Sequence, residues 1–232
     1  MECLFDPNKP HFAAWLWIYN KDRQYRSLDT MSPEEPEAVP LYYASLLRLR
    51  DLTAHLLAEH PEDVHARGGS EATALHACAY HGYVDIFSLL IDHFPNPDIR
   101  GYWDQTLLHR SSSGGHLEIG QRLLDRGANV NAGDNTNWTP LYIATLNEQL
   151  EFVRMLLDHG VAINSPSGDG RTPLHVASLY GYVEIVRLLL EHGADPNTRD
   201  VGGTTPSDLA SINGHRGIVQ LLSEYSTKCI EE

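Results

Sequence analysis

The chain has 232 residues, 42 % of them apolar, which is enough for a buried core and too many for a disordered polymer. Lys and Arg number 17 against 31 Asp and Glu, a net charge of −14, so the surface repels phosphate backbones and argues against general nucleic-acid binding. Three cysteines, Cys3, Cys78 and Cys229, are too scattered for a disulfide framework or a zinc spacing.

At the N-terminus, MECLFDPNKPHF lacks a basic stretch followed by an apolar one and does not read as a secretory signal. The longest apolar run, AAWLWIY at 13–19, is far short of the roughly 20 residues a membrane span needs. A soluble protein in a reducing, cytoplasmic setting is the expectation. HFAAWLWIY at 11–19 is apolar on nearly every face, so it is expected to form a short helix buried against the segment that follows. Residues 20–38, including SPEEPEAVP, form a proline-rich connection. This N-terminal piece, 1–38, is either a cap or a docking element for an upstream domain or partner.

From residue 39 the sequence repeats. VPLY stands at 39–42, TALH at 73–76, TLLH at 106–109, TPLY at 139–142, TPLH at 172–175 and TPSD at 205–208. The aligned positions Leu41, Leu75, Leu108, Leu141, Leu174 and Ser207 are separated by 34, 33, 33, 33 and 33 residues. Thr is an N-cap residue, and Pro suits the first helical turn, where its missing N–H is no loss. Seven residues after the aligned Leu or Ser, a helix-ending glycine appears in four units: Gly82, Gly115, Gly181 and Gly214. A second apolar stripe follows, as in YVEIVRLLLEHG at 182–193, and turn formers such as ADPNTRDVGG at 194–203 close the unit as an extended hairpin. In the last unit Ser207 replaces the leucine, Asp208 replaces the histidine, and LLSEYSTK leaves the apolar pattern, as a C-terminal cap would. The expected organisation is therefore 1–38, then six units over 39–232 starting near 39, 73, 106, 139, 172 and 205.

This pattern resembles the ankyrin repeat over about 39–225, on the strength of TPLH, the mid-unit glycine, the LLL-x-x-GAD-x-N segment and the period. The resemblance implies an all-α solenoid of stacked antiparallel helix pairs with β-hairpin fingers, and a role in protein–protein interaction. The physics agrees: one helix pair cannot bury its own apolar faces, so stability comes from neighbouring units and the ends need solvating caps. KPHFAAWLWIYN followed by PEEPEAVPLYYASLLRLRDLTAHLL is also similar to the segment entering the ankyrin region of fungal proteins that carry a NACHT-type NTPase, in which such arrays are thought to be recognition or regulatory regions. No GxxxxGK[ST] loop is present in this sequence, and its only lysines are Lys9, Lys21 and Lys228.

The repeat absorbs most of the residues that could do chemistry. His76, His109 and His175 fill the fourth TPLH position, His116 and His215 follow the mid-unit glycine, and His93, His159 and His192 stand near the end of the second helix. The other five histidines lack HxxxH or HExxH spacing, so no metal is expected. No GxSxG elbow occurs, and the absence of lysine between 22 and 227 removes Schiff-base chemistry from the array. Neither an enzyme nor a cofactor is expected.

A surface for a partner remains. By position, Leu46 and Leu47, Tyr80 and His81, Ser113 and Gly114, Leu146 and Asn147, Leu179 and Tyr180, and Ile212 and Asn213 should point into the concave groove. Tyr102, Trp103, Asn135 and Trp138 should stand at finger tips. Exposed aromatic clusters are the usual anchors of protein interfaces. The expected ligand is a neutral or basic protein or peptide, with no nucleic acid and no membrane involved, bound by a monomer. A small-molecule pocket or an unusual enzyme on the same groove, and a self-associating spacer, are the alternatives. In HRSSSGG at 109–115, Ser111 and Ser112 fill slots that need small side chains where helices pass closely, and Ser113 and Gly114 should leave either a notch for a partner or a weak spot that frays.

Overall fold

A computed structural model describes residues 40–68 and 73–228. The helix expected at 11–19, its connection, Cys3, Cys229 and residues 69–72 lie outside the described residues. Twelve α-helices, three short 3-10 helices and two isolated antiparallel bridges, Arg67 to Thr73 and Arg100 to Thr106, account for the regular structure there. The chain divides into two compact units, one holding residues up to 78 together with 85–94, the other 79–84 and 95 onward.

In the first unit, α1 (Pro40–Leu46) and α2 (Arg50–Glu59) pack on each other and on a 3-10 turn at Pro61–His65. Leu41, Leu56, Leu57 and Val64 are buried there. Helix α3 (Ala74–His81) starts in this unit with its buried Leu75, and the unit also takes most of α4 (Val84–Leu90) with the core residues Ile86, Phe87 and Leu90.

The second unit contains four helix pairs: α5 (Leu107–Gly114) with α6 (Leu117–Asp125), α7 (Pro140–Leu146) with α8 (Leu150–Asp158), α9 (Pro173–Tyr180) with α10 (Val183–Glu191), and α11 (Pro206–Ile212) with α12 (Arg216–Lys228). Tight turns make each pair a hairpin. The first helices pack in the order α5, α7, α9, α11, and the second helices in the order α6, α8, α10, α12, which gives two layers with the core between them. Leu108, Ile119, Leu123, Leu141, Phe152, Leu156, Leu174, Val186 and Leu189 are all but sealed from solvent. Helix α12 runs on through SEYSTK, past the point where the apolar pattern stops.

The helix starts follow from the Thr and His of the repeat. The Thr106 N–H and hydroxyl both donate to His109 Nδ1, at 3.1 and 2.8 Å, and His109 Nε2–H donates to the Trp138 carbonyl of the next unit at 2.9 Å. Thr172 and His175 repeat this, reaching the Thr204 carbonyl at 3.1 Å. Both geometries need a neutral imidazole, and burial pushes the His109 and His175 pKa values down, in keeping with that.

Two ladders bind successive fingers of this unit. The N–H groups of Asn135, Gly168 and Val201 donate to the carbonyls of Trp103, Thr136 and Asp169 at 3.1, 2.8 and 3.0 Å. Side-chain oxygens of Asp98, Asn131 and Asn164 accept from the N–H groups of Asn129, Ala162 and Asp195, each pair 31 residues apart.

The serines of HRSSSGG sit where small groups are required. Ser111 and Ser112 are fully buried in α5, and both hydroxyls turn back onto the Leu108 carbonyl, at 3.1 and 2.6 Å, so neither is left unsatisfied. Tertiary packing holds a helix that propensity alone would not. Gly120 serves a similar purpose in α6: a Cβ there would come within 2.6 Å of the Phe152 ring and 2.7 Å of Met155 Cε.

Candidate functional site

Each first helix of the second unit ends in a corner that carries the residues singled out from the sequence. Tyr80 and His81 end α3, Ser113 and Gly114 end α5, Leu146 and Asn147 close α7, Leu179 and Tyr180 close α9, and Ile212 and Asn213 close α11. Ile212 is 77 % exposed, Tyr180 51 % and Tyr80 47 %, while Leu146, Leu179 and Ser113 are half-buried. In the first unit Leu47 is exposed and Leu46 half-buried.

Some of these side chains serve the fold. The amides of Asn147 and Asn213 donate to the Ile143 and Leu209 carbonyls, at 2.9 and 2.8 Å, and so close their own helices. His116 reaches back from α6 and donates from Nε2 to the Tyr80 carbonyl at 2.9 Å. Its imidazole lies where a Cβ at Gly114 or Gly82 would go, so the room freed by Gly114 is filled by the protein's own ring. His215 does the same one end along, bonding the Leu179 carbonyl at 3.1 Å with its ring against Gly181. Gly82, Gly115, Gly181 and Gly214 all have positive φ, and at Gly181 (φ 85°) a side chain would be strained and would also strike His215.

The corner at 148 breaks that rule. Glu148 takes the same left-handed slot at φ 57° without being glycine, as Arg48 does in the first unit. Tyr182 stands where His116 and His215 stand in their units. It makes none of their bonds to the preceding unit and instead stacks on Tyr180, with ring centroids 5.7 Å apart and 19° between planes. His81 and Tyr83 stack in the same manner at 5.3 Å and 17°. Arg110 lies over the Tyr80 ring, 5.8 Å from its centroid.

The fingers show a second aromatic group. Tyr102 and Trp103 are exposed and in contact, centroids 4.5 Å apart, on a turn whose Trp103 and Asp104 have φ values of 56° and 62°. Arg100 braces it, donating to the Asp104 carbonyl and carboxylate at 2.8 and 2.6 Å and to the Gly133 carbonyl at 2.9 Å. Asn135 is exposed, and its backbone joins the finger ladder. Trp138 is half-buried and stacks on Tyr142 at 5.1 Å, so only part of it faces solvent. Beneath it, burial alone would raise the Asp134 pKa, but donors from Gln105, Thr136 and Trp138 outweigh that and hold the carboxyl below its ordinary value.

Regularity of this kind, with Thr–His helix starts and unit-to-unit ladders, is reflected in family comparison. A family profile described as ankyrin repeats in three copies matches residues 41–134, 95–167, 131–200 and 165–231. The chain belongs to the ankyrin-repeat family. Ankyrin repeats are in general protein–protein interaction modules and typically non-catalytic. The chain is also 31 % identical over 101 residues to a Monascus ruber protein described as azaphilone pigments biosynthesis cluster protein L. That stretch is 40 % of this chain and 21 % of the Monascus protein, so the match spans about a fifth of that relative's length. Among the described residues of this ankyrin chain, no helix is long and apolar enough to cross a membrane, and no three His, Cys, Asp or Glu groups converge as metal ligands would.

Sequence position alone found the corners and the exposed tyrosines. It missed the filling of the Gly114 space by His116, although His116 and His215 share a slot two residues after Gly114 and Asn213. It also missed Glu148, whose signal was the glycine absent from two of the six units, where Arg48 and Glu148 stand instead.

Proposed function

We propose that this ankyrin array is a non-catalytic binding module that seats a protein segment along the corners closing its first helices, with the Tyr102–Trp103 finger as a second point of contact. The observation that carries the reading is the set of solvent-facing rings and apolar groups at Tyr80, Tyr180 and Ile212, which recur at one slot or its neighbour in separate units. Large apolar groups concentrated at one structural position are anchors for a partner more often than accidents of exposure. The net charge of −14 favours a neutral or basic ligand and salt-sensitive association. The proposal includes a monomeric, cytoplasmic protein and the division into a 1–38 segment followed by six repeats.

Photo-crosslinking in the source cell tests this. A photoreactive residue at Ser113 or Ile212 should capture a discrete partner, and one at Glu151 or Arg187, exposed on second helices, should not. Crosslinks formed only from the second-helix positions would overturn the assignment of the surface.

A further inference from the structure

The corner at Glu148 brings together three features that meet at no other corner of the second unit. Its left-handed backbone carries a side chain with no glycine relief, and a non-glycine residue held there is strained by about 1–2 kcal/mol. The carboxylate is exposed, and among the described residues no Arg, Lys or His forms an ion pair with it. Beside it stands the Tyr180–Tyr182 stack, free of the inter-unit bond that the histidines make at the same slot. The Glu148 charge lies within Coulomb range of the Tyr182 phenol, where it adds to burial in raising that hydroxyl's pKa.

A negative charge next to an exposed ring and its half-buried stacking neighbour is what a delocalised cation recognises: the quadrupole of the rings attracts it, and the carboxylate accepts its N–H groups. The protein already satisfies the comparable need at Tyr80 with its own Arg110, 5.8 Å from the ring centroid. Tyr180 and Tyr182 have no such cation among the described residues. Arg171, which acts on Tyr142, is engaged by Asp169 and Asp200 at 3.5 and 3.4 Å. A lysine ammonium, compact and strongly hydrated, fits a pair of ring faces less well than a planar guanidinium.

We infer that Glu148, Tyr180 and Tyr182 form a receptor for an arginine side chain presented by a basic segment of the protein partner, with the guanidinium against the tyrosine rings and its N–H groups on the Glu148 carboxylate. This rests on the proposed function and names the ligand chemistry of one part of that surface.

The probe is an acetylated, amidated peptide alternating glycine and arginine, titrated into protein carrying ring-labelled tyrosine and followed by NMR at low salt. Its counterparts carry lysine or the neutral isostere citrulline in place of arginine. The arginine peptide should shift the Tyr180 and Tyr182 ring signals saturably, the lysine peptide should bind at least about threefold more weakly, and the citrulline peptide should shift nothing. Glu148→Gln, an exposed isosteric change that leaves the fold intact, should weaken the arginine peptide by about threefold or more, and Tyr180→Leu by a similar factor. Equal shifts with citrulline, equal affinity for lysine, or full affinity in the Glu148→Gln protein would each overturn the inference. If the arginine peptide fails while a partner still crosslinks from Ser113 or Ile212, the receptor is wrong and the binding surface stands. If crosslinks form only from the second helices, the surface itself is wrong.

Discussion

Two corners of the second unit share one backbone plan and use it in opposite ways. At Gly181 the left-handed turn has no side chain, the His215 ring fills the space above it, and Nε2 of that ring ties the Leu179 carbonyl to the next pair of helices. At Glu148 the turn carries a charged side chain, and Tyr182, in the histidine's slot, stacks sideways on Tyr180 rather than reaching the preceding unit. The first corner stabilises the stack, and the second leaves a carboxylate and the Tyr180 ring facing solvent, with Tyr182 half-buried beside it. A repeat array can thus release a site for recognition at one boundary because the remaining boundaries carry the stacking.

The largest way to break the comparison is Gly181→Val. A branched side chain at φ 85° faces both left-handed strain and collision with the His215 ring, so unfolding stability should fall by about 2–5 kcal/mol in urea titration. A loss under about 0.5 kcal/mol would mean that the corner relaxes freely and that the glycine is not required. His215→Ala comes next, with an expected loss of about 1–2 kcal/mol, since it removes the bond to the Leu179 carbonyl and leaves that acceptor to water. Tyr182→Leu is the smallest, within about 0.5 kcal/mol, because no inter-unit bond depends on it. Equal losses for the last two would erase the distinction between the corners.

Much of the fold was legible in residue order. The Thr–His starts and the glycine closures are fixed by local backbone needs, and local needs leave a periodic trace, while the small pair at Ser111 and Ser112 was read from its place in the repeat. What escaped is decided by pairs of residues a unit apart. Gly120 reads as a weak helix position, and only the Phe152 ring opposite it explains why nothing larger fits. Trp138 reads as a finger-tip aromatic, yet Tyr142 lies under it and covers part of its surface. Gly114 reads as missing bulk, and the bulk is supplied by His116 from the following helix. The helix-end asparagines have both a surface address and a structural bond, and position cannot say that the amide is already engaged.

The central claim is that a single exchange of partners separates a stacking corner from a recognition corner. The double substitution Glu148→Gly with Tyr182→His tests it by rebuilding the Gly181–His215 arrangement one unit earlier, with urea unfolding and titration of the arginine peptide measured on the same protein. Relief of left-handed strain and a new bond toward the Leu146 carbonyl should raise stability by about 1–2 kcal/mol, and peptide binding at the tyrosines should disappear. A protein no more stable than the parent that still binds the peptide would contradict the account.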